Sequence, residues 1–144
     1  MAELKINEAL RLGIDAQKSG KINKAEEYYS AILRVQPNHP DTNHNMGVLA
    51  VSVGKTEAAL PFFKKALEAR PSTAQFWFSL IDNLIKLKKF GDAKAILDQA
   101  KQKGAKGEIF DTLERKIIPN IEAKNNEGID QKLISELIAL YQSG

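Results

Sequence analysis

Small side chains recur along this chain at a constant interval of 34 residues. The positions that keep this interval are Ala25, Ala59 and Ala93; Gly13 and Gly47; Gly20 and Gly54; and Pro37 and Pro71. Apolar positions follow the same period, as in Leu12, Met46 and Leu80. Because many independent positions agree on one period, the sequence predicts a tandem array of similar units rather than a single globular core.

Each unit is predicted to contain two helices. In the first unit, small and apolar residues from Ala9 to Ala16 are spaced as on one face of a helix. Gly20 then predicts the end of that helix, and Pro37 the end of a second helix whose stripe runs from Ala25 to Ile32. A pair of helices cannot bury both of its faces, so each unit needs the next one.

The recurring residues resemble the tetratricopeptide repeat family, whose pattern is Trp-x2-Leu-Gly-x2-Tyr, Ala-x3-Phe and Pro over 34 residues. The copies are Leu12-Gly13, Ala25-x3-Tyr29 and Pro37; Met46-Gly47, Ala59-x3-Phe63 and Pro71; and Trp77-x2-Leu80 with Ala93-x3-Leu97. The resemblance implies an all-α fold, a right-handed α-solenoid of helix-turn-helix repeats at about residues 6–39, 40–73 and 74–107. Ile81, Lys88 and Ala105 depart from the pattern, so we expect the third repeat to pack wider and to end less sharply.

The last quarter of the chain does not follow the repeat pattern. Residues 108–128 are predicted to form an irregular helix, ended or kinked at Pro119, and then a turn at 125–128. Residues 129–144 are predicted to form the first helix of a partial fourth repeat or a C-terminal cap. The apolar stripe of that helix is Leu133, Leu137 and Leu140.

Composition excludes several classes of protein. The chain has no cysteine, which removes disulfide and thiolate chemistry and is compatible with a cytoplasmic location. Charged residues interrupt the N-terminal segment, so no signal peptide is expected, and the apolar stretches are too short for a membrane span. The net charge of +3 is small, and aspartates interleave the lysines of the third repeat, which argues against binding of nucleic acid.

No catalytic or metal site emerges from the sequence. His39 and His44 are five residues apart across Pro40, so they cannot share a helix face as metal ligands would. We expect His39 in the turn between repeats and His44 on a helix surface. The glycines are explained by turns and helix contacts, and the carboxylates form no acid/base pair. The sequence therefore predicts a protein without cofactor or metal that is not an enzyme.

The resemblance implies a binding site on the concave face, which the first helices of successive repeats line. The residues carried over to that groove are Leu10, Ile14, Asn45, Val48, Val51, Phe78, Asp82 and Ile85. Most of them are apolar, and an apolar groove is suited to an amphipathic helix or peptide. Some family members hold the carboxylate of chaperone tails with basic and amide side chains there, but only Asn45 matches such a clamp.

Three alternatives for the function stay open at this point. The chain is expected to be a scaffold for protein–protein interaction whose groove binds a protein or peptide segment. The groove could instead hold the chain's own tail or a second copy, which would make the protein a self-assembling scaffold. As a further alternative, similar arrays precede catalytic domains such as glycosyltransferases or sulfotransferases, where this chain would be an accessory module.

Overall fold

The computed structural model describes the backbone of residues 2–143 and the side chains of residues 5–123, 133 and 135–142. All regular structure in this part of the chain is α-helical, and the helices form a right-handed α-solenoid. The helices are α1 (Ala2–Lys18), α2 (Ile22–Val35), α3 (Pro40–Ser52), α4 (Thr56–Ala69), α5 (Ala74–Lys86), α6 (Phe90–Gln102) and α7 (Glu108–Ser143). Helices α1 to α6 form three successive antiparallel pairs, one for each repeat.

The turn inside each repeat has the same hydrogen-bonded geometry. Gly20 and Gly54 adopt φ angles of 75° and 80°, in the left-handed region that glycine enters without steric cost. The residue that follows each glycine donates its backbone N–H to a carbonyl five residues back, at 2.8 Å in both turns. In the third repeat, Lys88 takes the place of glycine and adopts a φ of 59°. The third repeat therefore keeps the left-handed turn residue although it has no glycine there.

Glycine on the first helix makes room for an aromatic ring on the second. A Cβ added to Gly13 would lie 2.5 Å from Cε1 of Tyr29, and one added to Gly47 would lie 2.6 Å from Cε1 of Phe63. Both rings are buried, and the Tyr29 hydroxyl donates to Gln17 at 2.7 Å. Burial raises the pKa of Tyr29 to about 12, so the hydroxyl keeps its proton. This contact between a glycine and an aromatic ring holds α1 to α2 and α3 to α4.

The third helix pair is packed differently. Ile81 stands where the first two repeats have glycine, and Leu97 stands where they have an aromatic ring. Both side chains are at most 2% exposed. The backbones of α5 and α6 approach each other less closely than those of the other two pairs, which agrees with the wider packing expected for the third repeat.

One side chain at the start of a first helix closes each junction between repeats. Asn43 and Trp77 occupy equivalent positions, 34 residues apart. Asn43 Nδ2 donates to the carbonyl of Pro37 at 3.0 Å, and Trp77 Nε1 donates to the carbonyl of Pro71 at 2.7 Å. Both side chains are buried, so these bonds satisfy carbonyls that would otherwise be left unpaired by the turn.

Helix α7 corrects the prediction for the last quarter of the chain. Phe110, Leu113 and Ile117 are buried against α5 and α6, and the helix continues unbroken for 36 residues to Ser143. A proline inside a helix costs about 3 kcal/mol. Ile117 and Ile121, which pack against the core on both sides of Pro119, hold the helix together there.

The turn predicted at residues 125–128 is therefore wrong, and so is the division of the tail at residue 128. Asn and Gly weaken a helix by about 1 kcal/mol per residue or less, which does not force a reversal. A reversal forms only where packing of the following segment rewards it. The described side chains of residues 133–142 are instead exposed to solvent. Residue 144, the end of the predicted fourth-repeat helix, lies outside the described residues.

Candidate binding groove

The first helices α1, α3 and α5 lie beside one another and form the surface that we call the groove. Helices α1 and α3 are in contact, and His44 Nε2 on α3 lies 2.7 Å from Ser79 Oγ on α5. All eight residues predicted for the site lie on these three helices, and none of them is fully buried. Val48 is the most exposed of the eight, at 37%.

The structure brings only part of the predicted set together. Val48, Val51 and Asp82 line one cavity of about 240 Å³ between α3 and α5. We call it the α3–α5 cavity. Its other lining residues are Ser52, Phe63, Asn83 and Lys86.

The remaining predicted residues lie elsewhere along the groove. Leu10 and Ile14 pack against the smaller core cluster, which joins the first repeat to the second. Phe78 and Ile85 pack against the main core. Asn45 is half-buried on α3. The apolar opening is thus concentrated at α3–α5 and does not run evenly along the groove.

Polar groups around the α3–α5 cavity are mostly paired with one another. Lys86 Nζ lies 3.1 Å from the Asp82 carboxylate, and Ser52 Oγ donates to the carbonyl of Leu49 at 2.6 Å. Asn83 Nδ2 donates to the carbonyl of Thr56 at 3.1 Å, while its Oδ1 has no hydrogen-bond partner among the described residues. The Asp82–Lys86 pair neutralises its own charge, and most of the surface that lines the cavity is apolar.

His44 does not lie on a helix surface, as the sequence predicted, but half-buried between repeats two and three. Its ring stacks on Phe76 at 5.0 Å between centroids and lies 5.6 Å from the ring of Phe63. Burial lowers the pKa of His44, against smaller opposing effects of Asn45 and Asp41. The repeat alignment places His44 with Leu10 and Phe78, and this register indicates a partly buried position.

The other histidine has a structural role in the turn. His39 precedes α3, and its Nδ1 accepts a hydrogen bond from the backbone N–H of Thr42 at 3.2 Å. Thr42 is itself fully buried. Among the residues that the structure describes, no three His, Cys, Asp or Glu side chains are grouped so that they could hold a metal ion.

Three lysines of the third repeat, Lys86, Lys94 and Lys101, take part in ion pairs on its surface. Lys94 Nζ lies 2.8 Å from Asp98, and Lys101 on α6 pairs with Glu114 on α7. Such exposed pairs are typical of a solvated helix face. Over residues 2–143, no helix has both the length and the apolar character that crossing a bilayer requires.

A second cavity, which the sequence analysis did not identify, lies on the side of the second helices. It has a volume of about 540 Å³ and lies between α4 and α6. Its apolar lining includes Leu60, Leu67 and Ile96, and charged residues surround it. The residues at its edge are Lys64, Glu68, Lys89 and Asp92, with Ala95 beside them. Because charges of both signs border this cavity, a binding partner there would need to match a polar rim.

Exposed large apolar side chains are concentrated on the distal part of α7. Among them are Leu133 at 51%, Leu137 at 64%, Ile138 at 52% and Tyr141 at 89% exposed. We call these four residues the distal stripe. They share one broad face of the helix, and Ser135 lies on the opposite face. Leu133 and Leu137 belong to the apolar stripe that the sequence predicted for a fourth-repeat helix or cap, and the structure exposes both.

Comparison with known proteins gives relatives that match part of this chain. One is the photosystem I assembly protein Ycf3 of Prochlorococcus marinus (strain NATL1A), which is 39% identical over 64 residues. That alignment covers 42% of this chain and 37% of the relative, so the chain spans well under two thirds of that protein's length.

Solved structures share the fold at low sequence identity. Yeast Tom70 superposes with a TM-score of 0.78 at 20% identity, covering 92% of this chain and 26% of that one. The first TPR of Spaghetti (RPAP3), bound to the HSP90 peptide SRMEEVD, superposes with a TM-score of 0.74 at 18% identity, covering 83% and 94%. Two family models described as tetratricopeptide repeat match residues 5–72 and 50–117. With three helix pairs in register and these two matches, the chain belongs to the tetratricopeptide repeat family.

Proposed function

We propose that this protein is a binding module whose groove holds an amphipathic helix or peptide segment of a protein. The observation that carries this proposal is the α3–α5 cavity of about 240 Å³, with Val48, Val51 and Phe63 in its walls. An apolar cavity of about 150 Å³ is large enough to bind benzene. The α3–α5 cavity therefore has room for one apolar side chain of a partner.

The charges of the groove favour an apolar anchor over an acidic tail. Leu10 and Ile14 lie in the first repeat where a carboxylate clamp would need cations or donors. Lys86 is engaged by Asp82. The similar TPR structure that holds an HSP90 peptide has an acidic ligand, Ser-Arg-Met-Glu-Glu-Val-Asp, and this groove offers less to such a ligand. We therefore propose an amphipathic partner with an aliphatic or aromatic anchor.

The proposal assigns no catalytic step to the described residues. Asp82 and Lys86 of the α3–α5 cavity pair with each other. The His44 ring is held by Phe63 and Phe76, and its Nε2 is hydrogen-bonded to Ser79 Oγ, a side chain that is 9% exposed. A non-enzymatic role and a cytoplasmic location both stay predictions from the sequence. The role of accessory module to a glycosyltransferase or sulfotransferase also stays a prediction.

Selection of helical peptides displayed on phage tests the proposal. Peptides selected on the wild type are measured by fluorescence anisotropy against Val48→Glu in the groove and Ala95→Glu in the α4–α6 cavity. Val48→Glu is expected to weaken binding about tenfold or more, because it places a charge against the apolar anchor. Ala95→Glu makes the same kind of change on the opposite side and is expected to bind as the wild type does.

The opposite pattern would overturn the proposal. Loss of binding in Ala95→Glu, with Val48→Glu unaffected, would move the site to the second helices. Circular dichroism of both variants checks that the helices are intact. Phe78→Ala is a poorer probe, since Phe78 packs against the main core and its removal also lowers stability.

A further inference from the structure

The distal stripe of α7 and the groove are two apolar surfaces of opposite shape on the same chain. We propose that the distal part of α7 from one copy docks in the groove of a second copy, so that the molecules associate head to tail. This inference rests on the proposed function of the groove and names its occupant. The occupant is residues 133–142 of another molecule of this protein.

The distal stripe has the chemistry that the groove accepts. At about 200 Å² for a fully exposed large side chain, its four residues expose on the order of 500 Å² of largely apolar surface. A stable interface buries about 800 Å² per partner, and the rest of the helix surface would contribute to that area. Glu136 is the single charged residue between positions 133 and 142, so docking removes little charge from water.

The groove supplies the complementary shape. A helix laid along α3 and α5 would place one of its large side chains over the α3–α5 cavity, whose volume is about 240 Å³. Leu137 and Tyr141 lie one helical turn apart on the distal stripe and are 64% and 89% exposed. Either side chain matches the apolar walls formed by Val48 and Val51.

The continuity of α7 favours a second copy over the molecule's own groove. The proximal part of α7 is fixed by Phe110, Leu113 and Ile117, and the helix runs on without a turn to Ser143. At 1.5 Å per residue, 36 residues reach about 54 Å. A return of residues 133–142 to the groove of the same molecule would require this helix to break.

Pairing of two distal helices with each other is a weaker solution. The distal stripe spans residues 133–141, which is fewer than two heptads. A coiled coil needs about three to four heptads to be recognised as one. In the groove, by contrast, one distal helix can pack against two helices, α3 and α5, and the cavity between them. Because each copy then presents one groove and one distal helix, the contact is heterologous and can repeat from copy to copy.

Sedimentation velocity over a range of protein concentrations tests this inference with four variants. Leu137→Glu alters the distal stripe, and Ser135→Glu makes the same charge change on the opposite face of the helix. Val48→Glu alters the groove, and Val53→Glu is its control, since Val53 is similarly exposed, at 44%, and lines a cavity with residues of α2 and α4 instead. The wild type and both controls are expected to gain mass with concentration.

Leu137→Glu and Val48→Glu should each weaken association about tenfold or more. Mixed together they should form a one-to-one dimer and nothing larger, since one variant keeps an intact groove and the other an intact distal stripe. Association that survives Val48→Glu but not Leu137→Glu would show pairing of the distal helices and overturn the inference. A wild type that stays monomeric would also overturn it, and if selected peptides still bind in a Val48-dependent way, the proposed function stands without it.

Discussion

The first two repeats and the third close their helix pairs with opposite arrangements of bulk. In the first two, glycine on the first helix faces an aromatic ring on the second, as Gly47 faces Phe63. In the third, Ile81 and Leu97 occupy the equivalent positions, and both are buried in the main core. Compared with the first two repeats, the first helix of the third repeat carries a larger side chain at this contact and the second helix a smaller one. The comparison indicates that the volume of the pair is constrained and that the individual positions are not.

The same contrast appears in the turn within each repeat. Gly54 adopts the left-handed conformation with open space where a Cβ would lie, whereas Lys88 adopts it with a side chain. The hydrogen bond that closes the turn is present in both, at 2.8 Å from Lys55 and 2.9 Å from Lys89. The third repeat thus keeps the fold of the turn while accepting a local steric cost.

Moving the isoleucine of the third repeat into the second should have the largest effect on stability. In Gly47→Ile, the new Cβ would lie 2.6 to 2.9 Å from three atoms of the buried Phe63 ring. We expect a loss of about 3 kcal/mol or more in the free energy of unfolding, measured by urea denaturation. The double variant Gly47→Ile with Phe63→Leu reproduces the third-repeat pair and should recover most of that loss.

The double variant is the decisive measurement for this comparison. If it is as unstable as Gly47→Ile alone, the two positions do not compensate for each other. The difference between the repeats would then depend on their other neighbours.

The fold could be predicted from sequence because the repeat imposes the same local rules three times. Ala25, Ala59 and Ala93 are all fully buried, as their spacing indicates. The prediction failed in α7, where no repeat imposes a rule. Pro119 is a strong breaker and the Asn and Gly residues of 125–128 are weaker ones, but neither ends a helix that is fixed by Ile117 on one side. Local residue preference alone could not show where the packing of α7 ends.

The candidate site was predictable by position but not by degree of exposure. The register of the repeat places all eight groove residues on first helices, but it cannot show that Phe78 and Ile85 pack against the main core. The α3–α5 cavity depends on how two helices approach each other, which is a tertiary property. The exposure of the distal stripe likewise could not be predicted, because an amphipathic pattern does not show whether another element covers it. In the described part of the chain, the stripe stays exposed.

Replacing Lys88 by glycine should give a smaller, opposite effect on stability. Lys88→Gly relieves the left-handed strain of about 1–2 kcal/mol but adds conformational freedom to the unfolded chain. We expect a net gain of about 0.5–1 kcal/mol by urea denaturation. Gly54→Ala should lose a similar amount, because its φ of 80° strains any Cβ. A Lys88→Ala control keeps the strain, so a gain in that variant as well would assign the effect to the charge of Lys88.

His44, which joins the second repeat to the third, should produce the smallest effect, and one that depends on pH. Burial lowers the pKa of His44 in the folded protein, whereas the unfolded chain titrates near 6.5. Below a pH of about 6.5, the unfolded chain binds a proton at His44 more readily than the folded protein does. The free energy of unfolding therefore keeps the contribution of neutral His44 above that pH. It loses this contribution as the pH falls from about 6.5 towards the lower pKa of the folded protein. Urea denaturation between pH 8 and pH 5 should therefore show a smaller loss for His44→Gln than for the wild type. Parallel curves for the two proteins would mean that the junction between the repeats does not depend on a neutral imidazole.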